Sequence, residues 1–218
     1  LLKHGYYQVA YGAADTIVGV PGMFAAYSTR AVRDSGGFVG GMNGEDTDTS
    51  LRIGEMGYRI VGDPAITFIS EVPKSWRHLR EQRMRWFRSI YHVSARNRDY
   101  LDAPTPSARG RITLPLMLLN SGRRAMTIPL LVFSALHYLY GFDPTSPLTP
   151  TAVLAIVLGA PTLMAVFAAL ANGRPGALLG LPDYILFRLV RAYFTLESML
   201  SITLSRPAPF RVPPSSLR

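Results

Sequence analysis

The chain has 218 residues, enough for one or two compact units, and carries a formal net charge of +9 with no cysteine. The missing thiols exclude disulfides, thiolate metal sites and cysteine nucleophiles. The charge is uneven: from Lys74 to Arg98 eight Lys or Arg stand against one acid, Glu81, a density that invites phosphates, nucleic acid or anionic lipid heads.

In chain order, residues 1 to about 105 read as an α/β unit. Thr16–Val20 and Phe24–Ser28 are short strand candidates, and Thr29–Asp34 is a short helix closed by Gly36-Gly37. Asp46–Met56 is a second helix with acids in its first turn and Gly57 as its stop. Tyr58–Val61 and Ala65–Ile69 return to strand around Asp63-Pro64. Pro73 opens a longer helix that carries Trp76, Leu79, Phe87 and Ile90. Alternation of strand and helix predicts a mixed sheet covered by helices.

Asp102–Arg111, rich in Pro, Ser and Gly, marks the boundary to an apolar, α-helical membrane region over 106–218. Ile112–Leu119 is too short to span and is expected to lie at the interface. Ala125–Phe142 and Thr151–Ala171 are each long enough to cross ~30 Å of hydrocarbon. Arg123-Arg124 before the first run and Arg174 after the second predict a multi-pass protein of the cell membrane, its α/β part in the cytoplasm. The 177–204 segment is apolar but carries Asp183, Arg188, Arg191 and Glu197. It is expected to be an amphipathic or re-entrant helix ahead of a cytoplasmic tail, in which Arg206–Arg211 has no chemical role. His4, His78, His92 and His137 show no paired ligand spacing and read as structural.

Two constellations carry chemistry. Glu45-Asp46 follows the glycine-rich loop Gly40–Gly44. Adjacent carboxylates suit a helix N-terminus, where they act as caps. The other reading is a mobile, glycine-rich loop that presents one carboxylate as general base to a sugar hydroxyl; for the pair taken alone, capping is the plainer one. In the long helix, Gln82, Arg85 and Trp86 fall at i, i+3 and i+4 on one face, with Arg83 offset from it. A guanidinium fork beside an indole suits a nucleoside diphosphate leaving group next to a sugar ring; the plainer account is a solvated basic helix with its Trp in the core.

Taken together, Glu45-Asp46, then Gln82-Arg83-Met84-Arg85-Trp86, then apolar spans resemble the C-terminal half of a membrane-bound family 2 glycosyltransferase, the group of cellulose, chitin and hyaluronan synthases. The resemblance implies part of a GT-A-type α/β domain followed by transmembrane helices. It implies Asp46 as base with Glu45 in support, and Gln82, Arg83, Arg85 and Trp86 at the diphosphate and acceptor. Pro21–Tyr27, with Gly22 and then Phe38, is similar to the family's acceptor-contacting strand, although Pro-Gly-Met stands where Ser-Gly-Pro or Cys-Gly-Ser is usual. Gly44 likewise replaces the common Thr before the two acids.

The implied reaction is inverting transfer of a hexose from a nucleotide-diphosphate sugar to a growing polysaccharide. Mg²⁺ or Mn²⁺ is implied too, with ligands mainly outside this chain, because no Asp-x-Asp precedes Glu45 and Asp46-Thr47-Asp48 belongs to the acid motif. The start at Leu1 without Met fits a piece of a longer chain, inactive alone. Implied partners are the donor sugar, a glycan or lipid-linked acceptor, membrane lipids and a possible further subunit. The alternatives are a glycolipid synthase making one transfer and a non-enzymatic basic scaffold. A nucleic-acid module is disfavoured by the long apolar stretch behind the basic run.

Overall fold

The computed structural model describes residues 8–20, 22–63, 71–100, 107–141 and 149–202. Nine α-helices run through the described residues: α1 Gln8–Ala13, α2 Thr29–Asp34, α3 Glu45–Glu55, α4 Trp76–Arg96, α5 Leu114–Ala125, α6 Thr127–Tyr140, α7 Pro150–Leu154, α8 Ala160–Ala171 and α9 Leu181–Leu200. Wide π-type turns at Arg109–Thr113 and Ala155–Gly159 lead into α5 and join α7 to α8.

No strand occurs among the described residues, which corrects the α/β, GT-A-type expectation. A strand exists only through a ladder partner. Ile17 and Val18 are buried as a strand would be, but the Ile17 carbonyl accepts from Arg109 Nε at 3.0 Å instead of from a neighbouring strand. An apolar run this short reads the same whether it lies in a sheet or under helices. Phe24–Ser28 forms an approach to α2, with Ser28 as its N-cap. Tyr58–Val61 is loop, and the Tyr58 hydroxyl donates to Asp34 Oδ2 at 2.9 Å. The strand expected at Ala65–Ile69 lies outside the described residues.

The helices follow their sequence signals more closely. Ser75 caps α4 by accepting from His78 N at 3.2 Å, and acids fill the first turn of α3 where the helix dipole stabilises them. Every residue from Asp48 to Gly54 is buried, so α3 is a central helix rather than a surface one. Gly54 leaves room for Arg109 to cross it: a Cβ there would lie 2.5 Å from the guanidinium. The core joins Val18, Leu51, Val93 and Leu114, with Met42, Ile90, Tyr100 and Met117 around them. It therefore draws on both sides of the 102–111 segment.

One face of α4 packs along α9. Trp76 meets Phe194 at 5.0 Å between rings, Arg80 Nε donates to Glu197 Oε2 at 3.1 Å, and Arg88 reaches Ser201 Oγ at 2.6 Å. The segment that is apolar yet charged in sequence is thus the packing partner of the basic helix. Among the described residues one helix, Pro150–Ala171, is long and apolar enough to cross a membrane. The 125–142 run forms α6, whose 14 residues cover about 21 Å at 1.5 Å per residue, short of ~30 Å. Pro129 lacks the N–H that would bond the Ala125 carbonyl, which accounts for the break at Met126 between α5 and α6. The Arg206–Arg211 tail lies outside the described residues.

Candidate active site

Asp46 sits in the first turn of α3, half-buried, beside exposed Glu45. Its Oδ1 accepts from the Thr47 backbone N–H at 2.7 Å. Its Oδ2 faces Gly22, where an added Cβ would stand only 2.6 Å away. That close approach gives Gly22, an expected site residue, a physical reason to be glycine. Tyr27 completes this side: its hydroxyl lies 3.2 Å from Ser50 Oγ, which donates to the Asp46 carbonyl at 2.7 Å. Burial pushes the Tyr27 pKa up, the Ser50 hydrogen bond pulls it back in part, and the Asp46 charge adds to the rise. Phe38 stands edge-on to Tyr27 at 5.5 Å. The Gly22–Tyr27 segment therefore meets the acid motif; Pro21 lies outside the described residues.

The acid motif is braced against α4 through Gly44, which adopts φ +88° and has no room for a side chain. A Cβ there would come within 2.7 Å of the Ser89 Cβ. At about 100° per residue Ser89 lies some 40° from Arg85, 20° from Gln82 and 60° from Trp86. Gln82, Arg85 and Trp86 thus share the side of α4 on which the α3 N-terminus rests. Arg85 is exposed and Trp86 is 45% exposed, open to a ligand rather than sunk in the core. Gln82 has a buried Oε1 with no hydrogen-bond partner.

Arg83 does not join them, being about 160° round α4 from Arg85. Its guanidinium stacks on the Trp86 ring at 4.5 Å and lies 5.4 Å from Phe187 of α9. Burial lowers its pKa, and Arg191 lowers it further.

The residue that sequence reasoning left without a role is Asp48. It is completely buried and accepts from Arg52 Nε at 2.9 Å and Asn97 Nδ2 at 2.7 Å, with Arg96 Nε at 3.2 Å. This network ties α3 to the C-terminal end of α4. Arg52 extends it to the end of α2, reaching the Ser35 and Gly37 carbonyls. The Asp48–Arg52 spacing is a legible i,i+4 pair, whereas Arg96 and Asn97 are remote in sequence.

Mg²⁺ or Mn²⁺ needs several oxygen ligands in near-octahedral array. Among the described residues no three His, Asp or Glu side chains come together, and the Asp48 oxygens are engaged by cations and an amide. These residues do not by themselves make a site for the metal.

The profile of glycosyl transferase family group 2 matches residues 2–171. No curated protein matches the chain, and no solved structure does.

Proposed function

The chain belongs to glycosyl transferase family group 2, and from that premise we propose that it transfers a hexose, with inversion, from a nucleotide-diphosphate sugar to a growing glycan at a membrane. The observation that carries the reading is the brace between Gly44 and Ser89, which sets the Asp46 turn on the Gln82–Arg85–Trp86 side of α4. Asp46 Oδ2 takes the proton of an acceptor hydroxyl. The acceptor oxygen bonds to the anomeric carbon as the bond to the diphosphate breaks. Arg85 offsets the charge that builds on the departing phosphate, which in a site shielded from water is worth far more than in solution.

Trp86 offers its ring face to the acceptor sugar, held from the α9 side by Arg83. Glu45 supplies a second negative charge beside Asp46 and Gln82 a polar contact to the sugar. A divalent ion, with ligands mainly beyond this chain, would neutralise diphosphate charge.

A second acceptor class fits Pro150–Ala171, the one helix among the described residues with the length and apolarity to cross a bilayer. Such an anchor suits one transfer to a lipid-borne acceptor as well as it suits polymer growth. Product-length analysis with a labelled nucleotide sugar and the full-length protein separates the two: a ladder of lengths marks a polymerase, a single glycolipid marks the alternative. In the same assay Asp46→Asn and Arg85→Ala each lower transfer by about a hundredfold or more, and parent-like turnover in both contradicts the assigned roles.

A further inference from the structure

A second group of arginines lies away from the acid motif. Arg123 and Arg124 end α5, Arg188 and Arg191 stand one turn apart on α9, and all four line a cavity of about 130 Å³ closed by Thr127 and Val157. No carboxylate lines it. Among the described residues none of the four has an ion-pair partner, although Asp183 and Glu197 share α9 and Glu197 is engaged by Arg80. The Nε atoms of Arg188 and Arg191 are buried with no hydrogen-bond partner. The nearest acceptors of Arg188 Nη2 and the Tyr184 hydroxyl beside Arg188 Nη1 are distant, at 3.5 and 3.4 Å, longer than a good hydrogen bond.

We propose that this cavity binds a phosphate or diphosphate group. Arg124, Arg188 and Arg191 are half-buried and Arg123 is exposed; partly desolvated cations without a carboxylate are costly, and a polyanion is the group that offsets several at once. Guanidinium forks match phosphate oxygens in pairs. Residue 161 is proline, so the Val157 carbonyl lacks its usual helical donor and the chain widens at 155–159, a kind of distortion frequent at functional sites.

The cations also burden one another. Burial brings the Arg124 pKa down to about 10, with Arg191, Arg123 and Arg188 adding to the fall; Arg191 is lowered by burial and then by Arg188. The Arg124 guanidinium lies 5.4 Å from the Phe87 ring of α4, so the cavity backs onto the helix that carries Arg85 without sharing its face. An anion here is a separate ligand from the donor diphosphate. It is the headgroup of a phosphate-bearing lipid, for which the adjacent apolar helix 150–171 offers the path for the chain, or a soluble phosphate.

The test uses the full-length protein, stripped of lipid in neutral detergent, with its thermal midpoint read in two arms. One arm adds inorganic pyrophosphate; the other adds mixed micelles of equal parts phosphatidylcholine and phosphatidic acid, against phosphatidylcholine alone. The midpoint rises by several degrees in at least one arm, and the rise is lost in R188Q/R191Q but kept in R77Q/R98Q, which removes equal charge from the exposed surface. A rise only with phosphatidic acid identifies a lipid headgroup, and a rise with pyrophosphate a soluble ligand. Without ligand, R191Q melts at or above the parent, because it relieves repulsion. The proposal is overturned if neither probe raises the midpoint, if the rise survives R188Q/R191Q, if R77Q/R98Q loses it equally, or if ligand-free R191Q melts well below the parent.

Discussion

The α3–α4 junction and the α5–α9 junction both gather arginines partly or wholly withdrawn from water, and they treat them in opposite ways. At the first, Arg52 and Arg96 close on fully buried Asp48 together with Asn97. At the second, Arg124, Arg188 and Arg191 crowd one cavity with no acid among them. Arginines matched by a carboxylate hold helices together. In the proposed reading, the charges left over at the first junction, Asp46 and Arg85, and the whole set at the second are those that meet a ligand. The distinction between a charge that builds the fold and one that faces a substrate is drawn here by partners, not by residue type.

Two acids two residues apart, Asp46 and Asp48, separate the two roles most clearly. Asp46→Asn lowers turnover about 10²–10⁴-fold, the usual contribution of a general base, and leaves the denaturation midpoint unchanged; steady-state kinetics and a urea titration check both halves. Asp48→Ala does the reverse in origin. It strands two buried guanidinium groups, costs about 3–5 kcal/mol of stability, and reduces activity only as the folded fraction falls. If both substitutions act on stability alone, the division between the two acids is wrong.

Gly22→Ala is the intermediate case. Its Cβ would press on Asp46 Oδ2, and displacing a reacting group by a fraction of an ångström lowers kcat roughly ten- to a hundredfold with little change in unfolding. The smallest effect is expected at Arg80→Ala, which removes an ion pair to Glu197 on the exposed rim of the α4–α9 contact. Such pairs contribute little in water, so both turnover and midpoint stay close to the parent.

The helices were legible because their signals are local. The acids before Leu51 and the glycine at 57 frame a helix over 46–56 that the structure forms as Glu45–Glu55; the basic run predicts a helix opened by Pro73, and the structure starts it at Trp76 behind a Ser75 cap. The sheet was misread because Ile17 and Val18 carry the apolarity of a strand, while what they pack against, α3, α4 and an arginine 92 residues on, is invisible to a window of sequence. The α6 run was misread for a different reason. The apolar length from Ala125 suits a span, but Pro129 separates α5 from α6.

At the candidate site, the shared side of Gln82, Arg85 and Trp86 followed from helical spacing, and so does the separation of Arg83. The brace between Gly44 and Ser89 did not. A glycine in a loop announces a special backbone or a close neighbour, not which neighbour.

In the proposed site the Asp46 turn and the Arg85–Trp86 side of α4 meet at one pocket. The chain has no native cysteine, so Asp46→Cys paired with Arg85→Cys can be tested in the folded full-length protein with a short thiol-to-thiol cross-linker. That juxtaposition predicts efficient linkage for 46 with 85 and none for 46 with Arg77→Cys, two turns away along α4. Failure of the 46–85 pair to link in folded protein, with both thiols reactive to a small probe, contradicts it.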